Sequence, residues 1–92
     1  MTVEYGREVL RSEIAALEQV TALIGPSFEE ALRLLEGGGK SIICCGMGKA
    51  GLIARKIAAT FSSTGAAAFF LHPADALHGD LGRVRQGDAV LI

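Results

Sequence analysis

Both histidines of this 92-residue chain fall in one short segment, residues 72–80, which reads HPADALHGD. His72 and His78 share this segment with Asp75 and Asp80. Histidine can remove and return a proton near neutral pH, and it can also bind zinc. The segment is therefore a candidate site of acid–base chemistry. As a metal site it is weakly defined, because these side chains fix no coordination geometry. The alternative is that the histidines cap turns and Asp80 caps a helix.

A glycine-rich hexapeptide, GMGKAG at residues 46–51, is the second feature with chemical meaning. Glycines allow a backbone to approach a ligand closely, and the N-terminus of a following helix attracts anions. Gly46 and Gly48 are therefore candidate phosphate-binding residues. Lys49 would bring its ammonium group toward the anion or toward an enolate oxygen. The alternatives are that the glycines only permit a tight turn and that Lys49 is a solvated loop residue.

The spacing of the hexapeptide also matches the GxGxxG fingerprint of dinucleotide-binding folds. That fingerprint requires an acidic residue at the end of the next strand, where it bonds the ribose. This chain has His72 and Pro73 there instead. A dinucleotide-binding function is therefore disfavoured.

Two helices are predicted before the hexapeptide. Apolar residues recur at steps of three and four over residues 3–24, which is typical of an amphipathic helix. Gly25 and Pro26 end it, and Ser27 with Glu30 forms a capping-box pattern for a second helix. Three glycines at residues 37–39 should end that helix.

The rest of the chain alternates strand and helix patterns. Residues 42–45 form a continuous apolar run, which is typical of a central parallel strand covered on both faces. A helix should follow through Phe61, with further strands at residues 67–71 and 89–92. This order predicts an α/β fold with a parallel sheet and right-handed crossovers. Ligands bind at the carboxyl ends of strands in such sheets, where the segment from His72 begins.

Composition excludes several classes of function. A net charge of -1 without clusters of basic residues provides no surface for nucleic acid. The apolar runs are too short for a bilayer, and the first residues lack a secretory signal, so we expect a cytoplasmic protein without a membrane partner. Cys44 and Cys45 are neighbours, which disfavours a disulfide and predicts reduced, packed thiols. The 50% hydrophobic content suggests buried strands or a surface that another subunit or further chain covers.

Four consecutive segments together resemble a known family, the sugar isomerase (SIS) domain of D-arabinose-5-phosphate isomerases. They are GMGKAG (46–51), KIAATFSSTG (56–65), FLHP (70–73) and ALHGDLG (76–82). With the two leading helices, the resemblance covers essentially the whole chain. It implies a three-layer, flavodoxin-like α/β domain with a parallel sheet. Residues 1–40 would be its amino-terminal helices, and residues 41–92 the first strands and helices of its core.

The resemblance also implies an activity, the interconversion of D-arabinose 5-phosphate and D-ribulose 5-phosphate. In Gram-negative bacteria this reaction supplies the acid sugar Kdo of lipopolysaccharide. The family is homotetrameric, with active sites shared between subunits, and often carries a pair of CBS domains. Such an isomerase needs a base, electrophilic stabilisation and a phosphate anchor, but no cofactor.

The site residues follow from the matched positions. The resemblance implies catalytic roles for Lys49 and His78. It implies substrate binding by Gly46, Gly48, Lys49, Gly65, Ala66, His72 and His78. His72 also matches a position associated with zinc, which inhibits the family and is not required.

Some positions depart from the family pattern. Ala50 stands where many members have Ser, and Leu52 replaces a frequent His. The family's Ser-rich phosphate loop would follow the third strand, beyond Ile92. We therefore expect an amino-terminal part of the domain, poorly active alone. The alternative function is a non-catalytic SIS module that senses sugar phosphates, but Lys49 and His78 favour the enzyme.

Overall fold

The computed structural model describes residues 2–36 and 40–92. Its elements are helix α1 (Val3–Leu23), helix α2 (Pro26–Glu36), strand β1 (Ile42–Cys45), helix α3 (Gly48–Ser63), strand β2 (Ala68–Leu71), helix α4 (Pro73–Leu77), a 3₁₀ turn (Asp80–Arg83) and strand β3 (Ala89–Leu91). The chain divides into two compact units, Met1–Leu32 and Arg33–Ile92.

Helix α1 is the amphipathic helix that the apolar periodicity predicts. Its first turn is capped by Thr2, whose hydroxyl oxygen accepts a hydrogen bond from the Tyr5 amide at 3.1 Å. Glu4 accepts a hydrogen bond from Arg11 at 2.8 Å. No residue of α1 is buried.

None of the helices in residues 2–36 and 40–92 combines the length and apolar composition that crossing a bilayer requires.

Helix α2 begins two residues earlier than the capping-box pattern predicts, because a cap at Ser27 would make Phe28 the first helical residue. Pro26 is its first residue, which suits a side chain with a fixed φ and no amide proton to satisfy. Ser27 therefore lies inside the first turn and cannot be the cap, so that prediction is wrong. The predicted end of this helix, at residues 37–39, lies outside the described residues.

The second unit is built on a parallel sheet with the strand order β2-β1-β3. Cys45 pairs with Leu71 of β2, and Ile42 pairs with both Ala68 of β2 and Ala89 of β3. The central position predicted for β1 is confirmed. Ile43 and Cys44 point to opposite faces and are both fully buried, so both faces of this strand are covered. The predicted α/β class with a parallel sheet is confirmed.

Small side chains allow α3 to approach the sheet closely. Ala54 and Ala58 on the helix pack in one buried cluster with Ile42 and Cys44 of β1. Both cysteines are free, as predicted. Burial raises the pKa of the Cys44 thiol, because desolvation penalises the thiolate. This thiol therefore acts as a small apolar side chain rather than a nucleophile.

The entry to β3 is held by one partly buried carboxylate. Asp88 accepts a hydrogen bond from the Ser41 amide at 3.0 Å and another from the Arg85 amide at 2.7 Å. Ser41 directly precedes β1, and Asp88 directly precedes β3. The carboxylate therefore sets the two strands side by side at their first residues.

Candidate functional site

The carboxyl end of the sheet brings two of the predicted site segments together. Cys45 and Leu71 are register partners and the last residues of β1 and β2. Gly46 directly follows β1 and His72 directly follows β2. Neighbouring strands of a sheet lie about 5 Å apart. The glycine-rich hexapeptide and the histidine segment therefore start side by side.

Backbone geometry explains why each of these three positions of the hexapeptide holds a glycine. Gly48 has a φ of 58°, in the left-handed region that favours glycine. A Cβ on Gly51 would lie 2.6 Å from the Gly46 carbonyl oxygen, and a Cβ on Gly46 would lie 2.9 Å from the Ala50 carbonyl carbon. The strand end and the first turn of α3 are thus in backbone contact. These distances show that the tight turn requires the glycines, and the turn places the start of α3 at the carboxyl end of the sheet. Phosphate binding by Gly46 and Gly48 stays a prediction.

At the start of α3, no acidic side chain or side-chain cap compensates the positive end of the helix dipole. Met47 precedes the helix without a side-chain cap, and the first turn contains no acidic residue. The first intrahelical bond is from the Gly51 amide to the Met47 carbonyl, so the amides of Gly48, Lys49 and Ala50 have no intrahelical acceptor. Lys49 is exposed and lies in this first turn of α3 rather than in a loop. Three amides, the helix dipole and an ammonium group therefore favour an anion at this position.

His72 is the N-cap of α4. Its Nδ1 accepts a hydrogen bond from the Ala74 amide at 3.0 Å. Because the amide can only donate, Nδ1 carries no proton, and a neutral ring then carries its proton on Nε2. The capping interpretation is confirmed for His72. Its Nε2–H is left to donate a hydrogen bond at the carboxyl end of the sheet.

His78 ends the same short helix as its C-cap and is exposed. Its ring makes no hydrogen bond within the described part of the chain. Residues six apart do not share a helix face, so the two histidines are not directed to one point by α4 alone. Asp80 begins the 3₁₀ turn and lies 3.9 Å from Arg83, while Gly79 takes the cap position. The interpretation of Asp80 as a cap is therefore wrong.

Gly65 and Ala66 lie at the other end of β2 from the rest of the candidate site. They precede Ala68, and this four-residue strand is about 13 Å long. The Gly65 amide donates to the Ser62 carbonyl at 3.2 Å and the Ala66 amide to the Phe61 carbonyl at 3.0 Å. With a φ of 97° at Gly65, this is a Schellman motif that ends α3. Within this chain they do not join the cluster, and substrate binding by them stays a prediction.

The described residues do not fit a zinc site. No group of three or more His, Cys, Asp or Glu side chains in residues 2–36 and 40–92 is arranged to hold a metal ion. His72 also uses its Nδ1 lone pair in the cap, and a neutral ring then presents Nε2 as a donor rather than a ligand. The association of His72 with zinc stays a prediction.

Phe70 lies at this site but is not among the site residues predicted from the sequence. Its ring lies 6.3 Å from the His72 ring, in an edge-to-face arrangement with planes at 70°. The Arg55 guanidinium carbon lies over the same phenyl ring, 4.1 Å from its centroid. A signal was present, because Phe70 and His72 are two residues apart at a strand end and so fall on the same face.

Comparisons with known proteins agree on one family. The SIS domain profile matches residues 38–92. The chain is 46% identical over 76 residues to the arabinose 5-phosphate isomerase KdsD of Pseudomonas aeruginosa, and 42% identical over 86 residues to the arabinose 5-phosphate isomerase GutQ of Salmonella typhi. A protein of Escherichia coli CFT073, solved in complex with arabinose 5-phosphate, superposes with a TM-score of 0.77 at 36% identity.

These matches cover most of this chain but only part of each relative. They include 83% of the chain and 23% of the Pseudomonas protein, and 94% of the chain and 27% of the Salmonella protein. The structural match covers 98% of the chain and 50% of the Escherichia coli chain. The chain therefore spans about a quarter of the length of these curated relatives.

Proposed function

The chain belongs to the SIS domain family, and from this membership we propose that the protein carrying it interconverts D-arabinose 5-phosphate and D-ribulose 5-phosphate. Two relatives above 40% identity are named arabinose 5-phosphate isomerases, which supports this substrate. The observation that carries the proposal is the start of α3. There Lys49 and three amides without intrahelical acceptors form a positive end beside His72.

The reaction requires a proton to move between neighbouring carbons. A base removes the proton on the carbon beside the aldose carbonyl, and the carbonyl oxygen takes up a proton to give an enediol. The carbon-bound proton then returns to the former carbonyl carbon while the neighbouring hydroxyl loses its proton, which gives the ketose. Negative charge develops on an oxygen during this step, and a preorganised positive group stabilises it. In our proposal the start of α3, with Lys49, binds this oxygen or the phosphate. His78 moves the proton or opens the sugar ring, and the Nε2–H of His72 donates a hydrogen bond to the substrate.

The proposal extends to pathway and assembly. We assign the protein to the cytoplasm, to the supply of the Kdo sugar of lipopolysaccharide, and to a homotetramer. The assembly is supported by the apolar side chains that α1 leaves exposed, among them Leu10, Ile14 and Leu17. Such a surface favours association with another copy. No cofactor enters the reaction.

The test is an isomerase assay on the full-length protein. Ribulose 5-phosphate formed from arabinose 5-phosphate should exceed a buffer control by many orders of magnitude, as is usual for enzymes. Glucose 6-phosphate, a longer aldose phosphate, serves as the control substrate. Binding of arabinose 5-phosphate without turnover, in a protein with a cooperative melt, would instead support the sensor alternative and overturn the isomerase.

A further inference from the structure

Phe70 connects α3 with the histidine segment. Arg55, on α3, lies over one face of its ring at 4.1 Å, and the His72 ring meets it edge to face at 6.3 Å. The Phe70 Cζ lies 3.9 Å from where a Cβ on Gly51 would be, so the ring tip reaches the first turn of α3. One phenyl ring therefore lies next to the glycine-rich turn, a cation and the candidate histidine.

The His72 ring is held by two kinds of contact. The Ala74 amide hydrogen-bonds Nδ1 and sets which nitrogen accepts. A single hydrogen bond does not fix the orientation of the imidazole plane, which can still rotate about that bond. The edge-to-face contact with Phe70 supplies the second restraint, since such pairs favour a defined interplanar angle.

The phenyl ring is itself restrained. Phe70 is register partner of the fully buried Cys44, and it packs against the buried cluster that joins β1 and α3. The Arg55 guanidinium over its ring adds an attraction of the cation–π type. Phe70 is therefore a rigid support at the end of β2.

From these contacts we infer that Phe70, clamped by Arg55, is a positioning residue that orients the His72 imidazole beside the positive end of α3. Its effect on substrate rests on the proposed function, whereas the orientation of the ring does not. A misplaced histidine weakens catalysis because reacting groups tolerate displacements of less than about 1 Å.

The same strand offers a matched control. Phe69 precedes Phe70, is likewise half-buried, and lies beneath the guanidinium of Arg83 at 4.3 Å. It points to the opposite face of the sheet, since neighbouring strand residues alternate. Phe69→Leu therefore removes a ring and a cation–π contact from the same strand, on the face away from Phe70 and its contact with His72.

The test uses the full-length protein with ¹⁵N-labelled histidine, and the ring signals are assigned with a His72→Gln variant. The wild type should show an unprotonated Nδ1 and a protonated Nε2 on His72. Phe70→Leu should shift these signals or mix the two tautomers, whereas Phe69→Leu should leave them unchanged. In the isomerase assay, Phe70→Leu should lower kcat/KM by about 10-fold or more.

Unchanged His72 signals in Phe70→Leu, or equal changes in both variants, would overturn the inference. If Phe70→Leu loses its cooperative melt, Arg55→Gln serves as the test variant, because it leaves the Phe70 side chain intact. It should then change the His72 ring signals, and unchanged signals would overturn the inference. An inactive wild type would overturn the proposed function, while the ring signals would still decide the role of Phe70.

Discussion

At the scale of single residues, Lys49 and His78 both lie at helix ends, Lys49 in the first turn of α3 and His78 at the end of α4. Lys49 lies at the end of a helix where a positive charge is unfavourable unless an anion offsets it. His78 ends a short helix with its ring exposed. Neither position contributes to the core, so both are suited to contact with a ligand.

Replacing Lys49 tests the electrostatic role of the α3 start. In the isomerase assay on the full-length protein, Lys49→Ala should lower kcat/KM by about 100-fold, because the transition state loses one preorganised positive group. Lys49→Arg should recover little of the lost kcat/KM, since a planar guanidinium does not replace a compact ammonium. Steady-state kinetics separates a loss in kcat from a loss in KM.

The control for this prediction is Lys56→Ala, which removes another exposed lysine two turns further along α3. It should retain wild-type kinetics. Equal kinetics for both variants would show that Lys49 is a solvated side chain.

Replacing His78 tests proton transfer. His78→Ala should reduce kcat by about 10²- to 10⁴-fold, the usual contribution of a general acid–base group. The neighbouring variant Leu77→Ala alters a side chain that is 88% exposed and should leave kcat near the wild-type value. A near-normal kcat for His78→Ala would remove His78 from the mechanism.

At the scale of elements, glycines determine both ends of α3. Gly46 and Gly51 allow the strand end and the first helical turn into backbone contact, and Gly65 ends the helix in a Schellman motif. Side-chain hydroxyls assist the exit, since Ser62 donates to the Ala68 carbonyl at 2.8 Å. The direction in which α3 leaves β1 and returns to β2 is thus a backbone property.

Gly51→Ala should destabilise the fold at the start of α3. Its methyl group would lie 2.6 Å from the Gly46 carbonyl oxygen, and this backbone atom directly follows the buried strand β1, so it cannot move aside easily. We expect a loss of about 1–3 kcal/mol in the free energy of unfolding, as for other overpacked sites. Chemical denaturation of the full-length protein measures it.

The control lies in α1, where Gly6 has open space around its missing Cβ. Gly6→Ala should stabilise by up to about 1 kcal/mol, because alanine is the better helix former. If both variants changed stability equally, the contact between β1 and α3 would not be the reason.

At the scale of the whole molecule, many apolar side chains of the described residues lie on the surface rather than in the core. No side chain of α1 is buried, although apolar residues recur along it at helical spacing. Strands β2 and β3 are the outer strands of the sheet, each paired on one side. Exposed apolar helix faces and unpaired strand edges are each typical of association sites in proteins.

Light scattering after size exclusion should therefore show a homo-oligomer for the full-length protein. Leu17→Glu, on the apolar face of α1, should weaken association about 10- to 100-fold, the equivalent of one buried leucine. Glu18→Gln, on the next residue, should leave the assembly unchanged. A monomer across the micromolar range in the wild type would contradict the prediction.

Local patterns in the chain were sufficient to predict most elements and where they begin. Hydrophobic periodicity and turn-forming residues act over a few positions, so the bounds of α1, β1, β2 and β3 differ from the predictions by at most about a residue. The continuous apolar run at residues 42–45 indicated the central strand because both its faces had to be buried. The position of His72 after β2 followed from the same reasoning.

Other features depended on contacts between segments distant in sequence. Register between β1 and β2 set Gly46 beside His72 and left Gly65 at the opposite end of the strand. Two helix starts also differed from the predictions: α2 begins at Pro26 rather than after a cap at Ser27, and α3 begins at Gly48 and so includes Lys49. The contact of Phe70 with Arg55 of α3 arose in the same way. A backbone group or ring takes whichever partner the folded chain brings within reach, and no local pattern encodes that partner.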